Sequence, residues 1–189
     1  MTTSTSNTAI TPLFSTDYHI YINHTDAGGI VYHANHLIFF ENCRRDWFTK
    51  LGLNGYFLQT DDGQVQHFVV SQAQLQYRKA IFLDEIINVR IDKVELKPAS
   101  IVFYQSIHRH LPPEVNQKDT KSLDTLLSST KIVIACVKNL INSDQPSTPL
   151  ENSSDAPIPV ASATPIRPIR VPKKLHDMIQ QAVTQHTDE

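Results

Sequence analysis

Between residues 37 and 51 the apolar residues Leu37, Phe40, Cys43, Trp47 and Leu51 recur at steps of three and four, and Ile38, Phe39 and Phe48 widen the stripe. That period is helical, and a stripe so wide calls for a helix enclosed by other elements rather than one lying on a surface. Glu41, Asn42, Arg44, Arg45, Asp46 and Lys50 fill much of the remainder, and Gly52 stands where a left-handed helix stop is expected. Tyr18–Ile22 reads as a strand before this helix, and four β-like runs follow it, over 65–78, 85–96, 101–108 and 130–138. In the run 85–96, Ile87, Val89 and Ile91 alternate, and Val94 and Leu96 resume one residue out of phase. Such a slip marks a bulge, which raises twist and helps a sheet curl. One helix followed by successive antiparallel strands predicts an α+β domain with the sheet wrapped around the helix.

The rest of the chain sets the boundaries of that domain. Residues 1–16, rich in Thr and Ser, read as a disordered leader, and 17–140 as the folded core. Within the core, 109–129 contains Pro112-Pro113 and mixed polar residues and reads as an inserted loop. Residues 141–165 hold five prolines and five serines, a linker-like composition. Residues 166–189 form a tail with a short helix after Pro172, its apolar face made by Leu175, Met178, Ile179 and Val183. At 189 residues the chain accommodates one domain. A net charge of −2 gives no reason to expect nucleic acid or a membrane surface as partner. Cys43 and Cys136 lie in apolar segments and read as buried hydrophobes, not a disulfide. With no secretion signal and no spanning stretch, a cytoplasmic protein without membrane insertion is expected.

Candidate chemistry concentrates in Thr25-Asp26-Ala27-Gly28-Gly29-Ile30-Val31-Tyr32-His33-Ala34-Asn35. A carboxylate beside a glycine pair leads straight into a helix start, where free N–H groups and the dipole stabilise developing negative charge. Asp26 is then a candidate nucleophile or general base for acyl-group hydrolysis; the plainer reading is a turn-forming aspartate. His33 is a candidate oxyanion donor through its backbone N–H, with an imidazole that orients substrate or water, or else a structural hydrogen-bond partner. Asn35 doubles as a candidate helix cap. His19, His24, His36 and His67 match no tight metal-ligand spacing, so no metal is expected. No nucleophile elbow, Walker loop or dinucleotide fingerprint is present.

The block from Tyr21 to Gly52, YINHTDAGGIVYHANHLIFFENCRRDWFTKLG, closely resembles the signature of hotdog-fold acyl-CoA thioesterases. It is most similar to the 4-hydroxybenzoyl-CoA thioesterase family, in particular the bacterial branch associated with the Tol–Pal envelope system. Phe68-Val69-Val70, Gln76-Tyr77, Leu83-Asp84-Glu85, Ser100-Ile101-Val102-Phe103, Ile134-Ala135-Cys136-Val137 and Arg167-Pro168-Ile169-Arg170-Val171-Pro172 extend the likeness. The resemblance implies a hotdog fold, a five-stranded antiparallel sheet around a central helix, pairing into homodimers or homotetramers with active sites at the dimer interface. It implies Asp26 and His33 as catalytic residues and Gly28, Gly29, Tyr32 and Asn35 as substrate-binding. It implies no separate cofactor, since coenzyme A belongs to the substrate, and leaves an acyl carrier protein as an alternative carrier.

The sequence also departs from that branch. Its tyrosine four residues before the aspartate is Ile22 here, its acidic residue two before is His24, and its tyrosine after Asn35 is His36. The segment Ala80-Ile81-Phe82-Leu83-Asp84-Glu85 lacks the branch's proline and arginine; if that arginine holds coenzyme A phosphates, Arg78, Lys79 or a partner subunit must substitute. The expected function is hydrolysis of an acyl-CoA to free acid and coenzyme A. The competing readings are a non-catalytic acyl-CoA-binding or Tol–Pal partner protein on the same fold, and, ranked lower, a hotdog dehydratase.

Overall fold

The apolar stripe forms α1 (Asn35–Lys50), and Phe39, Phe40, Cys43, Trp47 and Phe48 are buried along it. The computed structural model describes residues 11–53, 58–59, 65–110, 125–138 and 168–187. The expected loop around Pro112-Pro113 and the Pro/Ser-rich segment 141–165 lie outside the described residues. Five long strands wrap α1: β1 (Phe14–His19), β3 (Val65–Tyr77), β4 (Ile86–Lys97), β5 (Ser100–Arg109) and β6 (Leu126–Lys138). A two-residue strand, β2 (Leu58–Gln59), pairs with the start of β3. All pairings are antiparallel, in the spatial order β1-β4-β5-β6-β3-β2. This is the hotdog arrangement expected from the sequence.

The phase slip in β4 is a bulge: its register against β5 shifts between Ile91 and Lys93. Ile87, Val89 and Ile91 before the bulge and Val94 after it are all buried, so the extra residue keeps both halves pointed at the core while the strand bends. Phe103 of β5 meets Trp47 and Phe48 edge-on, with ring centroids 6.0 Å apart in each pair. Burying side chains of this size stabilises by about 1.5–3 kcal/mol each, so α1 is held by packing more than by intrinsic helix propensity.

Four expectations need correction. The first strand begins at Phe14, inside the presumed leader, because Phe14, Thr16 and Tyr18 alternate inward and Phe14 pairs with Ile91. It ends at His19, and Ile22–His24 form a 3₁₀ turn instead of continuing the strand. The last strand begins at Leu126, not at 130, so Leu127 and Ser128 are buried sheet residues where a loop was expected. On α1, Leu37 and Ile38 face outward while Arg44 is fully buried. The Arg44 guanidinium donates to Gln105 Oε1 at 2.7 Å and to the Glu41 carboxylate, and lies over the Phe103 ring.

The tail is docked. Ile169 N–H donates to Cys136 O at 2.8 Å and Val171 N–H to Pro98 O at 2.9 Å, which lays α2 (Lys173–Thr187) against the sheet. Leu175 and Ile179 are buried and Met178 and Val183 pack against them, the face read from the sequence.

Candidate active site

The chain before α1 is folded into a closed loop by its own backbone. Asp26 N–H donates to Ile30 O at 2.9 Å, Gly29 N–H donates to Asp26 O at 3.1 Å, and Thr25 pairs with Val31. Two glycines are needed for different reasons. Gly29 has φ of +74°, the left-handed region where a side chain is strained. At Gly28 the constraint is space: a Cβ would sit 3.1 Å from Asp26 Oδ1. Gly28 N–H donates to that same oxygen at 2.8 Å. The loop thus presents the Asp26 carboxylate at the surface of the subunit and fixes one of its oxygens, leaving the other to solvent or ligand.

The entry to α1 is fastened separately. His24 O accepts from Tyr32 N–H at 3.0 Å and from Asn35 Nδ2 at 2.7 Å. Asn35 is therefore not a helix cap; the capping position is Ala34, and the Asn35 carboxamide ties the helix start to the turn preceding the loop. Tyr77, at the end of β3, donates its hydroxyl to His33 O at 3.0 Å. The His33 N–H has no acceptor among the described residues. Fixing the His33 carbonyl holds the residue that carries this free donor at the helix entrance, where the dipole is positive.

A cleft of about 320 Å³ opens beside this turn. Ile30, Val31, Ala80 and Ile81 supply its apolar walls, and His33, His36, Tyr77, Arg78 and Lys79 its polar ones. Its floor is tied down by Val31 N–H donating to Ile81 O at 2.8 Å, and by Arg109, which pairs with Glu85 and donates to Ala80 O at 3.0 Å. His33 lines the cleft, whereas Asp26, Gly28, Gly29 and Tyr32 lie on the loop and turn leading to it. Arg78 and Lys79, the two cations offered in place of the missing arginine, are both at its edge.

Two contributors escaped sequence reasoning. From the sequence His36 reads as an unmatched metal ligand and as a departure from the branch's tyrosine, and Ser128 reads as part of a loop. They meet in the core: His36 Nδ1 and Ser128 Oγ are 3.0 Å apart, and the Tyr77 ring stands edge-on to the imidazole at 5.0 Å. The available signal was a histidine within an apolar helical stripe. Burial, then the charge of neighbouring His33, pulls the His36 imidazole down from 6.5 to about 4. It is therefore neutral in the folded protein near pH 7. On unfolding below pH 6.5 the freed imidazole takes up a proton that the native one refuses, so stability falls as pH drops from 6.5 towards 4. Urea unfolding at pH 7 and pH 4.5 is expected to show His36 accounting for a loss on the order of 2 kcal/mol, absent in His36→Phe.

The two cysteines are buried, and burial raises the Cys43 thiol to about 12 and the Cys136 thiol to about 11. Neither is poised as a nucleophile.

Comparison with known proteins shows the family of this chain. Residues 28–112 match the Thioesterase superfamily. An acyl-CoA thioesterase YbgC of Haemophilus influenzae is 32% identical over 124 residues, covering 66% of this chain and 80% of that protein. An acyl-CoA thioester hydrolase YbgC of Escherichia coli is 28% identical over 130 residues, covering 69% and 86%. Among solved structures, a mutant 4-hydroxybenzoyl CoA thioesterase in complex with 4-hydroxybenzoyl CoA superposes with a TM-score of 0.59 at 14% identity, over 87% of this chain and 96% of that one. At that identity the likeness concerns the fold.

Proposed function

Since this chain belongs to the thioesterase superfamily and is an acyl-CoA thioester hydrolase, we propose that Asp26 carries the reaction and that the entrance of α1 receives the oxyanion. The observation that supports this most is the Asp26 carboxylate, steadied through one oxygen by Gly28 N–H while the other stays free, on the loop that feeds α1. In this reading the thioester carbonyl oxygen takes a hydrogen bond from His33 N–H, a donor that costs no reorganisation because Tyr77 holds the residue. Asp26 either attacks the carbonyl carbon or removes a proton from the water that does. The tetrahedral oxyanion then collapses, the C–S bond breaks, and coenzyme A leaves as a thiolate that takes a proton from solvent. If an acyl-Asp26 anhydride forms, a water hydrolyses it to the free acid and regenerates the carboxylate.

The site is completed in this reading by a second copy of the chain. Beyond the two residues paired to β2, the outer edge of β3 carries no strand among the described residues, and Val70 and Tyr77 on it are exposed. Pairing of two such edges gives the homodimer that the resemblance implies, and covers the Asp26 loop from solvent. Arg78 and Lys79 hold coenzyme A phosphates, with Tyr32, Gly28, Gly29 and Asn35 shaping the approach. The likeness in the Tyr21–Gly52 block supports a reading in which the chain is of the Tol–Pal-associated branch and works in the cytoplasm. Among the described residues no helix is long and apolar enough to cross a membrane.

The test is release of free thiol from a panel of acyl-CoAs by the purified chain, followed colorimetrically. Turnover supports the reading; acyl-CoA binding without thiol release favours a non-catalytic binder, to which the changes at Ile22, His24 and Phe82 would then belong. Gly28→Ala is a finer probe. Its methyl displaces the Asp26 carboxylate by a few tenths of an ångström or more. It is expected to lower kcat by about ten- to a hundredfold, with a change in unfolding free energy under about 1 kcal/mol.

A further inference from the structure

The cleft beside the α1 entrance has apolar walls and one deeply buried polar side chain whose hydrogen-bonding capacity is only half used. His36 is 4% exposed and lines the cleft among Ile30, Val31 and Ile81. Its Nδ1 is engaged by the Ser128 hydroxyl, and Nε2 has no partner among the described residues. We infer that His36 is a specificity-determining residue, whose Nε2 selects acyl groups bearing a hydroxyl over plain alkyl groups of the same length. The inference rests on the proposed thioesterase site and names the acyl class that site takes.

The chemistry follows from the pairing. Ser128 fixes the ring plane: when its hydroxyl donates to Nδ1, Nε2 carries the proton and donates, and when it accepts from Nδ1–H, Nε2 is an acceptor. A substrate hydroxyl can satisfy either state, because it both donates and accepts. A methylene in the same place strips water from Nε2 and returns nothing. Sites built around a buried polar group reject the analogue that lacks the matching group far more strongly than apolar pockets reject an added one. His36 stays uncharged near neutral pH, so it does not call for an acidic acyl group.

The full-length chain is assayed with butyryl-CoA, 3-hydroxybutyryl-CoA and 4-hydroxybutyryl-CoA, and kcat/KM compared. One of the hydroxylated substrates is expected to exceed butyryl-CoA by about ten- to a hundredfold. In His36→Phe that ratio is expected to fall to about one, and in Ser128→Ala, which frees the ring to turn, to fall at least about threefold. A ratio near one in the wild type overturns the inference while leaving the hydrolase reading intact. So does a ratio that survives His36→Phe or, should that variant not fold, one that Ser128→Ala leaves unchanged. Failure to hydrolyse any of the three, with turnover of longer or aromatic acyl-CoAs, overturns the inference alone, and no thiol release from any acyl-CoA overturns both.

Discussion

Asp26→Asn is expected to lower kcat on acyl-CoA by about a thousandfold or more, with the thermal unfolding midpoint within a few degrees of wild type. The carboxamide is the same size and keeps an oxygen for Gly28 N–H, so the loop retains its 2.8 Å tie. It lacks the basicity to accept a proton from water and the nucleophilicity to form an anhydride. Substrate binding should change little, since Asp26 lies on the loop and the cations Arg78 and Lys79 line the cleft. The signature is thus a loss in kcat at nearly constant KM. Wild-type turnover by the folded variant removes Asp26 from the chemistry.

Arg44→Ala is expected to produce the largest loss of stability, about 3–5 kcal/mol, which for a chain of this size lowers the melting midpoint by roughly 10 °C or more. Arg44 is 1% exposed, as deeply buried as Phe40 and Trp47 on the same helix. Truncation leaves a cavity against Phe103 and strips Gln105 Oε1 of its donor, while Gln105 Nε2 stays bound to Phe40 O at 3.1 Å. Glu41 suffers less, because it is one-third exposed and can turn to water. The buried pairing is also predicted to be replaceable: Arg44→Met with Gln105→Leu should recover most of the loss, since apolar groups of similar volume avoid the desolvation cost. Urea titrations of the single and double variants measure both. A loss under 1 kcal/mol in Arg44→Ala contradicts this account of the core.

These two sites differ in how far the sequence exposes them. The Asp-Gly-Gly loop and the helix period are local patterns, and so is the phase slip that becomes the bulge between Ile91 and Lys93. Arg44 is illegible locally, because a charged residue on a helix reads as solvent-facing until Gln105, 61 positions away, supplies its partner. Ser128 is hidden for the same reason: beside a polar stretch it looks like loop, and only pairing with Tyr77 and contact with His36 make it a core residue. The early start of β1 is a smaller miss. The alternation of Phe14, Thr16 and Tyr18 is present in the sequence, but its Thr- and Ser-rich surroundings mask it. As for the site, loop placement and the free His33 donor follow from local sequence, whereas Tyr77, the residue that holds His33, comes from another strand.

The most direct measurement is a crystal structure with an uncleavable acyl-CoA analogue, a ketone in which CH₂ replaces the thioester sulfur. The account predicts the ketone oxygen within about 2.7–3.1 Å of His33 N–H, and the free oxygen of Asp26 facing the carbonyl carbon directly or through one water. A carbonyl seated away from the α1 entrance, with Asp26 turned to bulk solvent in the assembled protein, would contradict it.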